Sequence, residues 1–234
     1  MNVIVTGASR GIGYEVVRCF ARVRENNILA ISRNKQALNA LKKECRDSHC
    51  PGKVYILPYD LGRPDMDKGL MPLIQAYFGQ VDILINNAGA LVNKPFLELS
   101  GEDFETLFRV NVFSAFRLSQ FVVPIMGKGG HILNISSMGG FQGSVKFSGL
   151  SLYSASKGAL AILTEAMAAE LAPLGISVNC LALGSVQTEM LAEAFPGYEA
   201  PVDAPAMARF VCNFAENGQR YMNGKILPVA LSTP

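Results

Sequence analysis

The sequence predicts an α/β domain built on a doubly wound parallel sheet of about seven strands, with helices on both faces. Three observations lead to this prediction. Strand-like apolar runs alternate with longer helical segments along the chain, which is typical of parallel sheets. The runs are continuous in Val, Ile and Leu, as expected for strands buried on both faces. Half of the 234 residues are hydrophobic, and no linker divides them, so residues 1–234 should form one domain.

The predicted elements follow one another in a regular order. Strands are expected at 2–6, 28–32, 53–60, 81–87, 131–136 and 176–182 and near 225–230. Helices are expected near 11–24, 34–46, 65–79, 101–127, 153–171 and 202–215. Pro173 and Gly175 should end the fifth of these helices. Ligands of such sheets bind beyond the carboxyl ends of the strands, so motifs that directly follow a strand are the candidate site.

Charge and hydropathy argue against several classes of protein. The formal net charge is +2, and the Lys and Arg residues are scattered, so neither a nucleic-acid partner nor an acidic membrane surface is expected. No apolar run approaches the roughly 18–20 residues of a membrane span. The first residues lack the basic and long apolar regions of a signal peptide. We therefore expect a cytoplasmic protein.

The cysteines predict neither disulfides nor a metal site. The chain has five of them, Cys19, Cys45, Cys50, Cys180 and Cys212. They form no even framework, so they should be free thiols in a reducing compartment. Cys45, His49 and Cys50 are close in sequence, but there is no second cluster and the chain has only two histidines. We expect no metal, because a site needs more ligands than this.

A glycine-rich turn directly follows the first predicted strand. The segment TGASRGIG (6–13) has glycines at 7, 11 and 13. Glycines in such a turn permit tight backbone geometry and close approach to a pyrophosphate, which the amides of the following helix then bind. An ordinary strand–helix turn is the alternative. The position favours a dinucleotide, with contacts expected at Gly7, Ser9, Arg10, Gly11, Ile12 and Gly13.

The end of the second strand indicates the type of dinucleotide. An NAD site would place an acidic residue there for the ribose hydroxyls. The chain instead has Ser32 and Arg33, which suit a 2′-phosphate, because Arg can donate two hydrogen bonds to it. Arg10 could add a second cation. Solvated surface arginines are the alternative, but the pattern favours NADP(H).

The third strand ends at another candidate pair. Asp60 could accept a hydrogen bond from the adenine amine, and Leu61 could border the ring. A loop acid or a helix cap is an equally good interpretation of Asp60.

Tyr153 and Lys157 stand four residues apart in the segment LSLYSASKGAL (150–160). Residues at this spacing share one face of a helix. The small residues around them would leave room for a cofactor. Taken alone, the segment is more simply a helix that happens to carry a Tyr and a Lys.

Four motifs together resemble the short-chain dehydrogenase/reductase family in its classical single-domain form. They are TGASRGIG (6–13), NNAG (86–89), NISS (134–137) and YSASK (153–157). They occur in this order, each on the expected element. The resemblance extends over roughly residues 2–230 and implies a Rossmann fold and an NADP(H)-dependent carbonyl reductase or alcohol dehydrogenase.

The resemblance also implies roles for individual residues. Tyr153 would be the catalytic acid/base, and Lys157 would lower its pKa and hold the nicotinamide ribose. Ser137 would polarise the substrate oxygen, with Ser136 as the competing serine. Asn111 would hold a water in a proton relay through Lys157. Further cofactor contacts are implied at Asn87, Ala88, Gly89, Val186 and Thr188.

Several features depart from the family pattern. Leu183-Gly184 replaces the Pro-Gly that often follows strand six, and the interval from Ser137 to Tyr153 is about three residues longer than usual. The chain lacks the usual Asp-Gly-Gly ending, and the segment around 195–197 makes a short substrate lid. The expected pocket is irregular and apolar, with Met138, Phe141, Phe147, Leu150, Met190, Leu191 and Phe195.

The predicted activity is hydride transfer between NADP(H) and a carbonyl or secondary alcohol of a small or medium, mainly apolar substrate. A carrier-bound acyl substrate stays open. The alternative is a non-catalytic dinucleotide sensor or scaffold on the same fold. The resemblance further implies a homodimer or homotetramer formed through the helices at 101–127 and 153–171. The expected contact residues are Phe113, Phe116, Phe121, Leu160, Leu163 and Met167.

Overall fold

The computed structural model describes residues 1–63 and 69–231, and seven strands form its central sheet. These are β1 (Asn2–Thr6), β2 (Asn27–Ser32), β3 (Lys53–Pro58), β4 (Val81–Asn86), β5 (Met126–Ser137), β6 (Ser177–Leu183) and β9 (Ile226–Val229). Their order is β3-β2-β1-β4-β5-β6-β9, and every neighbouring pair is parallel. The predicted doubly wound sheet is confirmed. The short strands β7 (Val186–Gln187) and β8 (Val202–Asp203) pair separately.

The helices of the described residues connect these strands. They are α1 (Gly11–Val23), α2 (Lys35–Asp47), α3 (Leu70–Tyr77), α4 (Gly101–Phe108), α5 (Ser114–Val122), α6 (Ser151–Leu171), α7 (Glu189–Ala194) and α8 (Ala204–Asn217). A π-helical turn, Arg109–Phe113, joins α4 to α5. The first part of the helix predicted at 65–79 falls on residues 64–68, which lie outside the described residues.

One predicted boundary is wrong, and some short elements were not predicted. The helix predicted at 101–127 ends earlier, because Pro124 lies in a 3-10 turn, Val123–Ile125, and β5 already begins at Met126. The sequence analysis also missed α7 and the β7–β8 pair. These elements are only two to six residues long, too short for their apolar periodicity to be recognised.

Alternate residues of the strands feed two separate core layers. Val3 and Val5 face the layer formed with α1, α2 and α8, whereas Ile4 between them faces the layer formed with α3, α5 and α6. All three side chains are fully buried. This two-sided burial explains the continuous apolar runs of the sequence.

The strand order reverses at β1, which lies between β2 and β4. The helices after β1 and β4 therefore lie on opposite faces of the sheet, and a crevice opens at the carboxyl ends of these two strands. The glycine turn follows β1 and the NNAG segment ends β4. The candidate residues on α6 and at the end of β5 lie at the same edge.

The outer faces of the long helices are partly apolar. Phe116 on α5 and Ile162 on α6 are exposed. Leu160, which was expected at an interface between subunits, is instead buried within its own chain. Only 1% of Leu160 is exposed, so it offers almost no surface to a partner. No helix in the described part of the chain is long and apolar enough to cross a membrane.

Candidate active site

The glycine turn after β1 has no room for side chains at its critical positions. Gly7 and Gly11 have φ values of +68° and +56°, in the left-handed region that favours glycine. A Cβ on Gly13 would lie 2.5 Å from the Gly7 carbonyl oxygen and 2.4 Å from Asn87 Nδ2. The turn and the end of β4 therefore pack backbone to backbone.

Thr6 and Asn87 hold these two segments together. The backbone amides of Asn87 and Ala88 both donate to Thr6 Oγ1 at 2.9 Å. Asn87 Nδ2 donates to the carbonyl oxygens of Thr6 at 2.9 Å and of Gly7 at 3.4 Å. Asn87, predicted as a cofactor contact, thus braces the glycine turn. Thr6 was missed, although it is the first residue of the glycine motif.

The amino end of α1 is suited to an anion. Its first turn carries no acidic residue, and no side chain caps it. The amides there and the helix dipole favour a phosphate. Ile12 lies in this first turn. A cavity of about 510 Å³ opens beside it. The lining residues are Ser9, Arg10, Gly11, Tyr14, Glu15, Gln187, Thr188, Glu189, Ala192 and Ala204.

The end of β2 presents one exposed cation. Arg33 is exposed and has no hydrogen-bonded or ionic partner among the described residues. Ser32 is buried, and its Oγ accepts a hydrogen bond from the Asn34 amide at 3.2 Å. Asn34 in turn caps α2 through the Ala37 amide. Ser32 therefore shapes the turn on which Arg33 stands.

Arg10 is paired within the chain. Its guanidinium forms a two-pronged ion pair with the carboxylate of Glu193 on α7, one contact measuring 3.1 Å. The hydrogen bonds to Glu193 raise the pKa of Arg10, and those from Arg10 lower the pKa of Glu193. Arg10 is thus not a free second cation for a 2′-phosphate, because Glu193 competes for it.

Asp60 and Leu61 lie at the end of the third strand as predicted, but both have structural roles. Asp60 Oδ1 accepts from the Gly62 amide at 3.0 Å, which closes a turn. Leu61 is buried in the core layer beneath α3. The loop-acid interpretation of Asp60 is therefore favoured.

Tyr153 and Ser137 meet at the head of α6. The Ser137 hydroxyl lies near enough to the Tyr153 phenol to lower its pKa, and Ser137 Oγ accepts from the Gly139 amide at 3.1 Å. Ser136 points the other way, since its Oγ donates to the Lys157 carbonyl oxygen at 2.8 Å. Of the two adjacent serines, only Ser137 faces the tyrosine.

Lys157 lies one turn further along α6 and is buried. Its Nζ donates to the Ile135 carbonyl oxygen at 2.9 Å. Burial lowers the pKa of Lys157 to about 8. A Cβ on Gly89 would lie 3.4 Å from both Lys157 Nζ and Asn111 Oδ1, so these two polar groups border the same point beside the NNAG segment.

Asn111 lies in the π-helical turn and is almost completely buried. Its Oδ1 accepts from the Ala90 amide at 2.7 Å, and its Nδ2 donates to the Ala90 carbonyl oxygen at 3.0 Å and to Ser156 Oγ at 2.9 Å. Single π-helical turns occur frequently at functional sites. Asn111 thus connects the loop after β4 to α6. Ser156 completes this connection. The sequence analysis missed it because the segment contains several serines and nothing in the sequence distinguishes this one.

Two expectations about this helix can be compared with the structure. Burial raises the pKa of Tyr153, and the nearby Ser137 hydroxyl partly opposes this rise, so a lowering by Lys157 stays a prediction. The small residues of the segment also serve packing rather than cofactor space alone. A Cβ on Gly140 would lie 2.5 Å from the Gly158 amide nitrogen. The turn after β5 therefore rests directly on the backbone of α6.

The residues predicted to form an apolar substrate pocket differ in burial. Met138 and Leu150 are buried in the protein, and Phe147 is exposed. Phe141, Met190, Leu191 and Phe195 are partly buried. Val186 is buried in β7, and Thr188 caps α7 by accepting from the Leu191 amide at 3.3 Å. The methyl carbon of Thr188 lies 3.2 Å from the position of a Cβ on Gly11, so α7 begins directly over the glycine turn.

Comparison with known proteins decides the family. The family model described as short chain dehydrogenase matches residues 1–199. The chain belongs to the short-chain dehydrogenase family. The seven-stranded parallel sheet and the four motifs agree with this assignment, and the resemblance found in the sequence is confirmed.

Curated short-chain dehydrogenases cover most of the chain. It is 36% identical to carbonyl reductase [NADPH] 2 of Sus scrofa over 81% of this chain and 73% of the relative. It is 35% identical to a 3-oxoacyl-[acyl-carrier-protein] reductase of Thermotoga maritima over 80% of this chain and 74% of the relative. These relatives are similar proteins with different named substrates.

Solved short-chain dehydrogenases share the fold closely. A short chain dehydrogenase from Burkholderia cenocepacia in complex with NADP superposes with a TM-score of 0.86, at 27% identity, over 97% of this chain and 95% of that one. A 7α-hydroxysteroid dehydrogenase complexed with NADH and a 7-oxo bile acid has a TM-score of 0.87, at 29% identity, over 98% and 92%. Both nicotinamide dinucleotides thus occur among the structural neighbours.

A metal centre was not expected for this dehydrogenase. The described residues contain no group of three or more His, Cys, Asp or Glu side chains that could hold a metal ion. The five cysteines are free thiols.

Proposed function

We propose that this member of the short-chain dehydrogenase family transfers hydride between NADP(H) and a carbonyl or secondary alcohol of a small or medium, mainly apolar substrate. The observation that carries the proposal is the placement of Ser137 beside Tyr153, with Ser136 directed instead to the Lys157 carbonyl oxygen. Ser137 and Tyr153 lie at the carboxyl edge of the sheet, beside the glycine turn. Tyr153 is one helical turn from the buried Lys157.

The residues beside β1 and β4 fit a dinucleotide. The uncapped amino end of α1 and the side-chain-free glycine turn would hold the pyrophosphate. Gly89, bordered by Lys157 and Asn111, offers close backbone approach for the nicotinamide ribose. Ser9 and Thr188 line the cavity beside α1, and they are proposed as further contacts together with Ile12, Ala88 and Val186. The bound cofactor supplies the hydride.

Tyr153 is proposed as the proton donor in carbonyl reduction. Because burial raises its pKa, the phenol is protonated at neutral pH, which suits an acid. Ser137 would donate a hydrogen bond to the substrate oxygen as negative charge develops on it. In alcohol oxidation, Tyr153 would accept the alcohol proton, and the raised pKa predicts that this direction is faster at higher pH. Lys157 and Asn111 would carry protons to and from Tyr153.

NADP(H) is proposed over NAD(H). Arg33 is exposed at the end of β2, where no acidic residue stands to bind a ribose hydroxyl. The dissociation constants of NADPH and NADH at fixed salt test this choice. NADPH should bind more tightly, and Arg33→Asp should narrow or reverse the ratio. Equal affinities in the unmodified protein would contradict the proposal.

The substrate and the assembly are proposed from the sequence. The partly buried apolar residues of the crevice favour an apolar carbonyl compound, and the exposed apolar residues of α5 and α6 favour a homodimer or homotetramer. The cytoplasm is the expected location. Light scattering at micromolar concentration would measure the assembly.

Substitution of Tyr153 separates an enzyme from a cofactor-binding protein without activity. Tyr153→Phe keeps the ring and removes the hydroxyl, so NADPH-dependent turnover of a ketone and aldehyde panel should fall by about 10²–10⁴-fold. NADPH affinity should change little. Tyr221→Phe is the matched control, because Tyr221 is 83% exposed and lies outside the crevice. A Tyr153→Phe protein that keeps most of its turnover would contradict the assignment.

The adjacent serines provide a second test. Ser137→Ala should lower turnover with little change in stability, whereas Ser136→Ala should mainly lower the free energy of unfolding, by about 1 kcal/mol for the lost hydrogen bond to the Lys157 carbonyl. Turnover with the ketone panel and urea denaturation distinguish the two. The opposite pattern would assign the oxyanion contact to Ser136.

A further inference from the structure

Two thiols meet between the first and last long helices. Cys19 on α1 and Cys212 on α8 lie close enough for each thiol to shift the pKa of the other. Cys212 Sγ also lies 3.6 Å from the Val16 carbonyl oxygen, one turn before Cys19. Both cysteines belong to the core layer that α1 and α8 share. The two cysteines thus lie near each other where α1 packs against α8, although 193 positions separate them in sequence.

The two thiols differ in exposure. Cys212 is 5% exposed, whereas Cys19 lies at the border of the core and is partly exposed. Cys19 is therefore the thiol that a small reagent from solvent meets more readily, and Cys212 is the more sheltered one. This arrangement is that of an attacking thiol backed by a second, resolving thiol.

The surrounding charges reinforce the difference. The hydrogen bond from Cys212 lowers the pKa of Cys19, and Arg209 and Arg22 act in the same direction, although burial and Glu216 oppose them. The same hydrogen bond, together with burial, raises the pKa of Cys212. Cys19 is therefore the partner that forms a thiolate, and Cys212 keeps its proton.

We propose that Cys19 and Cys212 are a peroxide-reactive dithiol that closes to a disulfide between α1 and α8. The pair is a modification site, separate from the crevice and independent of the proposed hydride transfer.

The chemistry balances with a hydroperoxide as the oxidant. The Cys19 thiolate attacks one oxygen of the peroxide, the O–O bond breaks, and an alcohol or water leaves after taking a proton. The sulfur of Cys212 then attacks the Cys19 sulfenic acid, the S–O bond breaks, and the hydroxide leaves as water with the Cys212 proton. Two thiols lose two electrons to one peroxide. A small dithiol reverses the reaction by exchange.

A second cysteine pair in the same chain is an internal control. Cys45 and Cys50 also lie close together, since the Cys50 thiol acts on the pKa of Cys45 and the Cys50 amide donates to the Cys45 carbonyl oxygen at 3.1 Å. They lie at the carboxyl end of α2, where the helix dipole disfavours a thiolate. Burial is the main cause that raises the pKa of Cys45 to about 11. Proximity alone is therefore similar in the two pairs, and the electrostatic setting differs.

The test uses the full chain treated with a small excess of hydrogen peroxide at neutral pH, quenched with an alkylating agent and mapped by mass spectrometry without reduction. The expected result is loss of two alkylatable thiols, with Cys19 linked to Cys212, before Cys45 or Cys50 changes. Dithiothreitol should restore both thiols. Formation of the Cys45–Cys50 bond first, or persistence of all five thiols, would overturn the proposal.

Two variants examine the order of the steps. Cys212→Ser should stop the reaction at a Cys19 sulfenic acid that a dimedone probe traps, whereas Cys45→Ser should leave the Cys19–Cys212 bond forming as in the unmodified protein. If Cys212→Ser does not fold, the map of the unmodified chain still decides the proposal. A disulfide rate that falls as much in Cys45→Ser as in Cys212→Ser would also overturn it.

Discussion

The nucleotide side of the crevice, residues 6–13 and 86–89, is built differently from the substrate side, residues 138–150 and 186–203. The nucleotide side is held by partly buried bonds from Thr6 and Asn87 and by backbone contacts too close for any Cβ. On the substrate side, the segment 186–203 is held by exposed side-chain contacts, whereas Gly140 in the turn after β5 packs on the backbone of α6. Asn93 Nδ2 donates to the Ala194 carbonyl oxygen at 2.9 Å, and Gln187 accepts from the Ala200 amide at 2.8 Å.

The substrate side is the one that can adapt its position to a bound molecule. Exposed polar contacts contribute little free energy, so α7 and the segment after it can change position when a substrate binds. A turn without space for a methyl group tolerates no such change. The family can therefore keep one cofactor geometry while its members act on different substrates.

The largest difference between the two sides is expected for glycine substitutions, measured as loss of unfolding free energy. Gly13→Ala places a Cβ within 2.5 Å of the Gly7 carbonyl oxygen, and such overpacking should cost about 3 kcal/mol of unfolding free energy or more. Gly143→Ala is the control on the substrate side. Its φ is +85°, but nothing lies within 4 Å of the added Cβ, so it should cost only about 1–2 kcal/mol. Urea denaturation measures both, and similar costs would contradict the comparison.

Lys157 lies at the boundary between the two sides. Its buried charge should lower the free energy of unfolding of the cofactor-free protein at neutral pH. Burial holds its pKa at about 8, below the ~10.4 of an unfolded chain. Unfolding therefore takes up a proton between these values, and stability should rise as the pH rises from about 8 to about 10. Lys157→Met should be more stable at pH 7 by about 1–3 kcal/mol, and this advantage should shrink above pH 8.

Urea denaturation at several pH values measures the Lys157 effect. Lys42→Met, on the exposed face of α2, is the matched control and should show no such trend between pH 7 and 10. A stability difference between Lys157→Met and the unmodified protein that stays constant across this range would contradict the buried cation.

The smallest effect is expected where the two sides meet at Arg10 and Glu193. Their ion pair competes with a 2′-phosphate for Arg10, and an exposed pair is worth about 1 kcal/mol or less. Glu193→Gln should therefore tighten NADPH binding by up to about fivefold at low salt and leave NADH binding unchanged. The gain should fade at high salt. Equal effects on both dinucleotides would contradict the competition.

Prediction from the sequence succeeded best on the nucleotide side. Local backbone geometry requires glycine at positions 7, 11 and 13. Such requirements can be recognised from residues that are close in sequence. The segments around α7 were mostly missed. Asn93, Ser156 and Glu193 act through partners 45 to 183 positions away, and no local pattern marks such residues.

From the sequence alone we could predict the succession of strands and helices along the chain, the two-sided burial of the sheet and the family motifs. These features depend on periodicity and on short-range backbone requirements. Only the folded structure shows which of two adjacent serines faces Tyr153, that Arg10 is paired, and that burial raises the pKa of Tyr153. It also brought Cys19 to Cys212. Each of these depends on distances and solvent exclusion between distant segments, which exist only once the chain has folded.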